Sequence, residues 1–114
     1  DGTGIRCKSR LDRLTPHAIV DLKTAADVGA GKWGTQAARL LYHMQGAFYR
    51  EAVRVTLGRE LPFVMIVVQS GPPYEVAVRR LTPDQLGMGH ELFTKALEEV
   101  YHCRREGLWG LRVW

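Results

Sequence analysis

Cysteine is scarce in this sequence, which contains only Cys7 and Cys103. Two widely separated cysteines cannot by themselves hold a four-cysteine iron–sulfur cluster or a structural zinc ion, because each of these sites needs four ligands. Isolated cysteines in an intracellular chain are usually free thiols. The sequence therefore argues against both kinds of metal site, and we expect the two thiols to be unpaired.

Long apolar runs are also missing. The longest run, residues 61–68, is interrupted by a proline and is far shorter than the ~20 residues that a membrane-spanning helix needs. The first four residues are small and polar, unlike a signal peptide. From 114 residues without a repeat or a linker, we expect a single domain over residues 1–114 and a cytoplasmic location.

Acidic residues are outnumbered by basic ones. The 16 Lys and Arg against 12 Asp and Glu give a net charge of +4, and residues 1–14 carry much of this excess. Lys and Arg neutralise phosphates and release counterions, so a basic chain is suited to bind a polyanion. The same composition is also compatible with a mildly basic solvated surface, and the charge alone leaves both interpretations open.

Hydrophobic periodicity predicts an α/β domain with a mixed sheet, in the order β-β-α-β-β-α. Alternating residues indicate strands, and apolar residues spaced three and four apart indicate helices. A turn at Pro16 joins the first two strands into a hairpin. Thr82 is a suitable N-cap for the last helix, with Pro83 in its first turn and Gln85 completing a capping box. The predicted strands cover 4–14, 18–24, 61–69 and 74–81, and the predicted helices cover 33–57 and 83–106.

Two acidic residues fall where acids are uncommon. Asp21 lies between apolar residues inside a predicted strand, and Lys23, two residues on, leaves the strand from the same face. Folding the hairpin about its turn places Asp12 opposite Asp21, with side chains roughly 5 Å apart. Paired carboxylates repel unless a cation joins them, and hard oxygen ligands favour Mg²⁺ or Mn²⁺. The pattern predicts a metal-assisted phosphodiesterase site in which Lys23 orients the attacking water.

An Asp-x-Lys triplet is more often an ordinary surface ion pair than a catalytic site. The opposed position of Asp12 strengthens the catalytic interpretation, but that register follows from the turn alone. A non-catalytic DNA-binding or assembly module with an incomplete site is therefore the alternative function. A requirement for magnesium distinguishes the enzyme from the passive binder.

Three segments together resemble a known family. They are residues 4–12, residues 19–27 with the run Asp-Leu-Lys-Thr, and residues 42–49 with the run Tyr-His-Met-Gln-Gly-Ala-Phe-Tyr. In this order they are similar to the nuclease domain of the exodeoxyribonuclease VIII family, a phage and prophage branch of the PD-(D/E)xK superfamily. The resemblance extends over nearly the whole chain and implies a restriction-endonuclease-like fold.

The resemblance implies magnesium-dependent digestion of linear duplex DNA from 5′ to 3′, leaving tails for recombination. The matching residues then have roles: Asp12, Asp21 and the backbone carbonyl of Leu22 as metal ligands, and Lys23 as the catalytic lysine. The superfamily's Gln-x-x-x-Tyr element, on the helix beside the active site, matches Gln45 and Tyr49.

The resemblance also implies partners. These are DNA, further copies of the chain in a homo-oligomer and a single-strand annealing protein, with no membrane. The sequence does not give the strand polarity, the processivity or the oligomeric state. The shortage of cysteines argues against the cluster-containing Cas4-like branch of the superfamily.

The sequence departs from the family at its start. In the family, a helical segment before the first strand supplies another acidic residue to the site, whereas this chain begins at the predicted strand. We therefore expect either a fragment of a longer protein or a site without that ligand.

Overall fold

A computed structural model describes residues 3–107 and Trp109. Its strands are β1 (Arg13–Leu14), β2 (Ile19–Ala25), β3 (Phe63–Gln69) and β4 (Val76–Arg80). Its helices are α1 (Ala30–Arg39), α2 (Tyr42–Leu57) and α3 (Pro83–Glu106). The element order is thus β-β-α-α-β-β-α, with one more helix than the sequence predicted. In this part of the chain, no helix is long and apolar enough to cross a membrane.

The four strands form one mixed sheet in the order β1-β2-β3-β4. β1 is antiparallel to β2, β2 is parallel to β3, and β3 is antiparallel to β4. The mixed α/β class is confirmed, but the predicted first strand over 4–14 is wrong for most of its length, since only Arg13–Leu14 pairs. Residues 4–12 instead lie against the helices, where Leu11 packs onto the core. Alternation in the sequence predicted a strand here, but alternation does not guarantee a hydrogen-bonding partner.

The core lies on one face of the sheet. Ile19, Phe63, Met65 and Val67 are at most 2% exposed and point toward the helices. The opposite face is covered less: the side chains of Leu22, Val76 and Val78 are exposed. Because side chains alternate along a strand, odd-numbered positions of β2 and β3 share the covered face. Asp21 and Lys23 are odd-numbered, so their side chains point into the protein.

The predicted helix over 33–57 is interrupted at Leu41. This residue has φ 57° and ψ 38°, a left-handed conformation that costs a non-glycine residue about 1–2 kcal/mol. The interruption turns the chain so that the rings of Trp33 and Tyr42 stack with centroids 5.4 Å apart. Leu40 and Leu41, at the interruption, are about half exposed. Nothing in the local sequence marks the break, since leucine is a good helix former.

Two glycines allow close packing: Gly89 lets α3 approach α2, and Gly46 lets α2 approach the sheet. A Cβ at Gly89 would overlap the backbone carbonyl of His43, and one at Gly46 would collide with the side chains of Leu81 and Phe63. α3 begins as predicted: the Thr82 side chain accepts a hydrogen bond from the Gln85 N–H, and the Gln85 side chain accepts one from the Thr82 N–H. The close helix pair places α2 directly over the sheet.

Candidate active site

Asp21 and Lys23 form a buried ion pair on β2. Asp21 is 3% exposed and is the one buried charged residue in the described part of the chain. The Lys23 Nζ lies 2.6 Å from Asp21 Oδ2. That oxygen is buried and accepts no hydrogen bond of regular geometry from the described residues, so the nearby ammonium is what compensates its charge. A buried carboxylate oxygen with so little compensation is well suited to receive a cation.

Asp12 comes to the same place from the neighbouring strand. The pairs Arg13↔Val20 and Leu14↔Ile19 continue, one residue further, to Asp12 opposite Asp21. The Oδ2 of Asp12 accepts a hydrogen bond of 2.9 Å from the Leu22 backbone N–H. Asp12 lies just outside the two-residue strand, and this bond fixes its carboxyl group. The predicted juxtaposition of the two acids is therefore present in the structure.

The two carboxyl groups have opposite tendencies to ionise. The hydrogen bond from Leu22 is the main cause that lowers the pKa of Asp12, assisted by Asp21 and by the charges of Lys23 and Arg10. Burial raises the pKa of Asp21, Lys23 opposes this, and the Asp12 carboxyl adds to the rise. A nearby divalent cation would stabilise the charged form of both acids.

Three side chains hold the Lys23 ammonium in place. Its Nζ contacts Asp21 and donates a hydrogen bond of 2.5 Å to Gln45 Oε1. It also lies 4.2 Å from the ring centroid of Tyr42, in a cation–π contact. The Gln45 amide in turn donates to the Tyr49 hydroxyl at 3.3 Å. All three residues of α2 share one face of the helix, since they are three and four positions apart.

The structure brings five of the six predicted site residues together through their side chains. The exception is Leu22, whose N–H binds Asp12 and whose side chain projects from the opposite, exposed face. Only its backbone could serve the site, as predicted for its carbonyl. Within residues 3–107 and Trp109, no three His, Cys, Asp or Glu side chains converge as a metal site. A cation here would thus have two carboxylates and would take its other oxygens from backbone or water.

Sequence analysis did not identify Tyr42 as part of this arrangement. It also missed three side chains that hold the loop after β2. Gln36 donates to the Thr24 carbonyl, Gln69 to the Ala26 carbonyl and Arg79 to the Val28 carbonyl. The sequence gives no signal for the contact of Arg79, because Arg80 stands beside it in the same strand and its partner lies 51 residues away. These contacts fix the end of the strand that carries Asp21 and Lys23.

Comparisons with known proteins agree on the fold. A family profile described as "PDDEXK-like domain of unknown function (DUF3799)" matches residues 1–112. A solved structure from Eubacterium rectale, whose protein is named as a candidate exonuclease, matches with a TM-score of 0.64 and 25% sequence identity. The match covers 90% of this chain but only 42% of that one. No protein with a curated function matches.

Proposed function

Since this chain belongs to the family of PDDEXK-like domains of unknown function, a branch of the PD-(D/E)xK nuclease superfamily, we propose that it is the core of a metal-dependent deoxyribonuclease. The observation that carries this proposal is the meeting of Asp12 and Asp21, from adjacent strands, beside the Lys23 amine. Two acids and an amine in a partly buried site have the composition that phosphodiester hydrolysis requires.

The cation of this site is proposed to be Mg²⁺ or Mn²⁺. The carboxylates of Asp12 and Asp21 and the carbonyl of Leu22 are all oxygen donors, which these hard ions prefer. When bound, such an ion would polarise the phosphate and lower the pKa of a coordinated water. Asp12 is suited to bind first, because the hydrogen bond from Leu22 keeps its carboxyl ionised.

Lys23 is proposed as the catalytic lysine. Its ammonium is held at a defined place by Gln45 and Tyr42, so it needs little reorganisation to stabilise negative charge that develops on a phosphate. Gln45 and Tyr49 act as positioning residues, because they reach the reaction only through Lys23.

Replacing Tyr49 with phenylalanine tests this positioning role. The change removes the acceptor of the Gln45 amide, so we expect cleavage to slow by about tenfold, near the value of one hydrogen bond. The free energy of unfolding should fall by no more than ~1 kcal/mol, because the ring still packs against Phe63. Cleavage rates and urea unfolding measure the two effects. The exposed Tyr74 provides a matched Tyr74→Phe control, and a large stability loss with normal cleavage would assign Tyr49 to packing instead.

The finer function proposed is exonucleolytic 5′-to-3′ digestion of linear duplex DNA in phage-type recombination. The resemblance to the exodeoxyribonuclease VIII family supports it, as does the name of the Eubacterium rectale protein. Because the chain spans 42% of that protein, homo-oligomerisation, a single-strand annealing partner and a cytoplasmic location belong to the same proposal.

A second candidate function is a DNA-binding or assembly module without catalysis. One observation favours it: among the residues described, two carboxylates converge on the site, with no third acidic ligand beside them. Such a module would bind DNA equally well with and without a divalent cation.

The deciding experiment uses linear duplex DNA labelled at either the 5′ or the 3′ end. The chain is incubated with each substrate in magnesium, in manganese and in excess chelator. We expect cleavage only with a divalent ion, and early release of label from the 5′-labelled substrate. Binding without cleavage in every condition would favour the module. Equal release of label from the 5′-labelled and 3′-labelled substrates would support nuclease activity but contradict the proposed 5′-to-3′ polarity.

A further inference from the structure

An exposed row of cations precedes the candidate active site. Arg6, Lys8 and Arg10 are exposed, and we call these three residues the basic ridge. The ion pairs of the described residues are Lys23–Asp21, Lys32–Asp27 and Arg54–Glu51, so the ridge takes part in none of them. The side chain of Asp12, the nearest acid along the chain, is engaged with Leu22 instead. The ridge residues therefore take part in no ion pair among the described residues, although the charge of Asp12 offsets part of that of Arg10.

The ridge is held in position by the other side of the same segment. Ile5 and Leu11 line a cavity of about 460 Å³ against α2 and α3, together with Phe48 and Phe93, and the exposed Lys8 borders the same cavity. Leu11 also packs on the core cluster. Because these apolar side chains face the helices, the exposed cations are presented on a segment that is anchored to the protein.

The segment leads directly to the acids of the site. Arg10 lies two residues before Asp12, close enough for its charge to help lower the pKa of that carboxyl. Arg13 follows Asp12 but differs in placement: it pairs with Val20, so it projects from the sheet face opposite Asp21. The register thus turns Arg13 away from the two acids, although it is exposed like the ridge residues.

Two carboxylates repel an approaching phosphate chain, so a site of this kind needs positive charge beside it. We propose that Arg6, Lys8 and Arg10 bind the phosphate backbone of DNA next to the active site, on the stretch that leads to Asp12. This inference rests on the proposed nuclease function and names the surface that holds its substrate. Contacts of this type neutralise phosphates and release counterions without reading the base sequence.

The test measures binding of a linear duplex oligonucleotide, without divalent cations, over a series of salt concentrations. For each phosphate contact removed, the slope of log Kobs against log salt should become shallower by about 0.9. We expect this loss of slope in the triple variant Arg6→Gln, Lys8→Gln, Arg10→Gln. The matched control is Arg13→Gln, which removes an exposed arginine of the same segment and should leave the slope unchanged. Urea unfolding of both variants checks that the fold is retained.

Two results would overturn the proposed role of the basic ridge. One is a salt slope in the triple variant equal to that of the wild type, and the other is an equal loss of slope in Arg13→Gln. These outcomes are separable from the nuclease proposal. If the chain cleaves DNA with magnesium but the triple variant keeps the salt slope of the wild type, the nuclease proposal stands and the proposed role of the basic ridge is wrong. If the triple variant has a shallower salt slope but the wild-type chain never cleaves DNA, the basic ridge is a DNA-binding surface and the nuclease proposal is wrong.

Discussion

Asp21→Asn is expected to reduce magnesium-dependent cleavage of linear duplex DNA by about 10³-fold or more. Asparagine has nearly the shape of aspartate but lacks the negative charge that would hold a divalent cation beside Asp12. Removal of a single preorganised electrostatic group commonly reduces turnover by 10²–10³-fold, and a lost metal ligand should be at least as severe. Initial rates at saturating magnesium measure the effect.

The control for this experiment is another carboxylate outside the site. Glu91 is exposed on α3 and takes part in none of the ion pairs of the described residues. Glu91→Gln makes the same change of charge and should cleave at the normal rate. If Asp21→Asn retained its activity at every magnesium concentration, the proposed catalytic arrangement would be wrong, whatever the fold.

Lys23→Met should lower the free energy of unfolding by about 3–5 kcal/mol at neutral pH, the range typical when one partner of a buried ion pair is removed. The methionine fills the space but leaves the Asp21 carboxylate buried without its ammonium, which lies 2.6 Å away in the structure. The double variant Lys23→Met, Asp21→Asn removes both charges and should recover most of the lost stability. Urea unfolding of the wild type, both single variants and the double variant completes the thermodynamic cycle.

The pH dependence of this destabilisation has a defined sign. The folded-state pKa of Asp21 is raised, chiefly by burial, so folding favours its protonated form. Its contribution to stability is present below the unfolded pKa and is lost as pH rises through the folded pKa. Without Lys23 that pKa should rise further, so the deficit of Lys23→Met should shrink as pH falls from neutral. A deficit that is the same at every pH would mean that the buried charge is not its cause.

The contribution of Asp12 to stability depends on pH in the opposite direction. The hydrogen bond from the Leu22 N–H lowers the folded-state pKa of Asp12 below its unfolded value, so Asp12 stabilises the fold above the unfolded pKa and loses that contribution as pH falls through the folded pKa. The hydrogen bond from Leu22, the main cause, is common to the wild type and Lys23→Met and cancels in their difference, whereas the loss of the Lys23 charge removes only a lesser cause. The comparison between the two proteins therefore reports on Asp21.

The hairpin and the last helix were predictable because short-range chemistry decides them. The turn at Pro16 fixes the register that sets Asp12 opposite Asp21, and Thr82 with Gln85 fixes the start of α3. The helix over 33–57 was predicted as continuous because its apolar residues are spaced three and four apart, whereas packing of Trp33 on Tyr42 accompanies a break at Leu41. Helix propensity differs by tenths of a kcal/mol per residue, and tertiary contacts can outweigh it.

By itself, the sequence determined that an acid and a lysine leave one face of an apolar strand, and that a second acid faces them across a short turn. These are consequences of strand alternation and of a local turn, which act within a few residues. Only the tertiary structure decided that this face is the buried one, that Gln45 and Tyr42 hold the Lys23 ammonium, and that Arg79 fixes the following loop. Those contacts join residues far apart in the chain, and they depend on how helices and sheet pack, which local propensities do not specify.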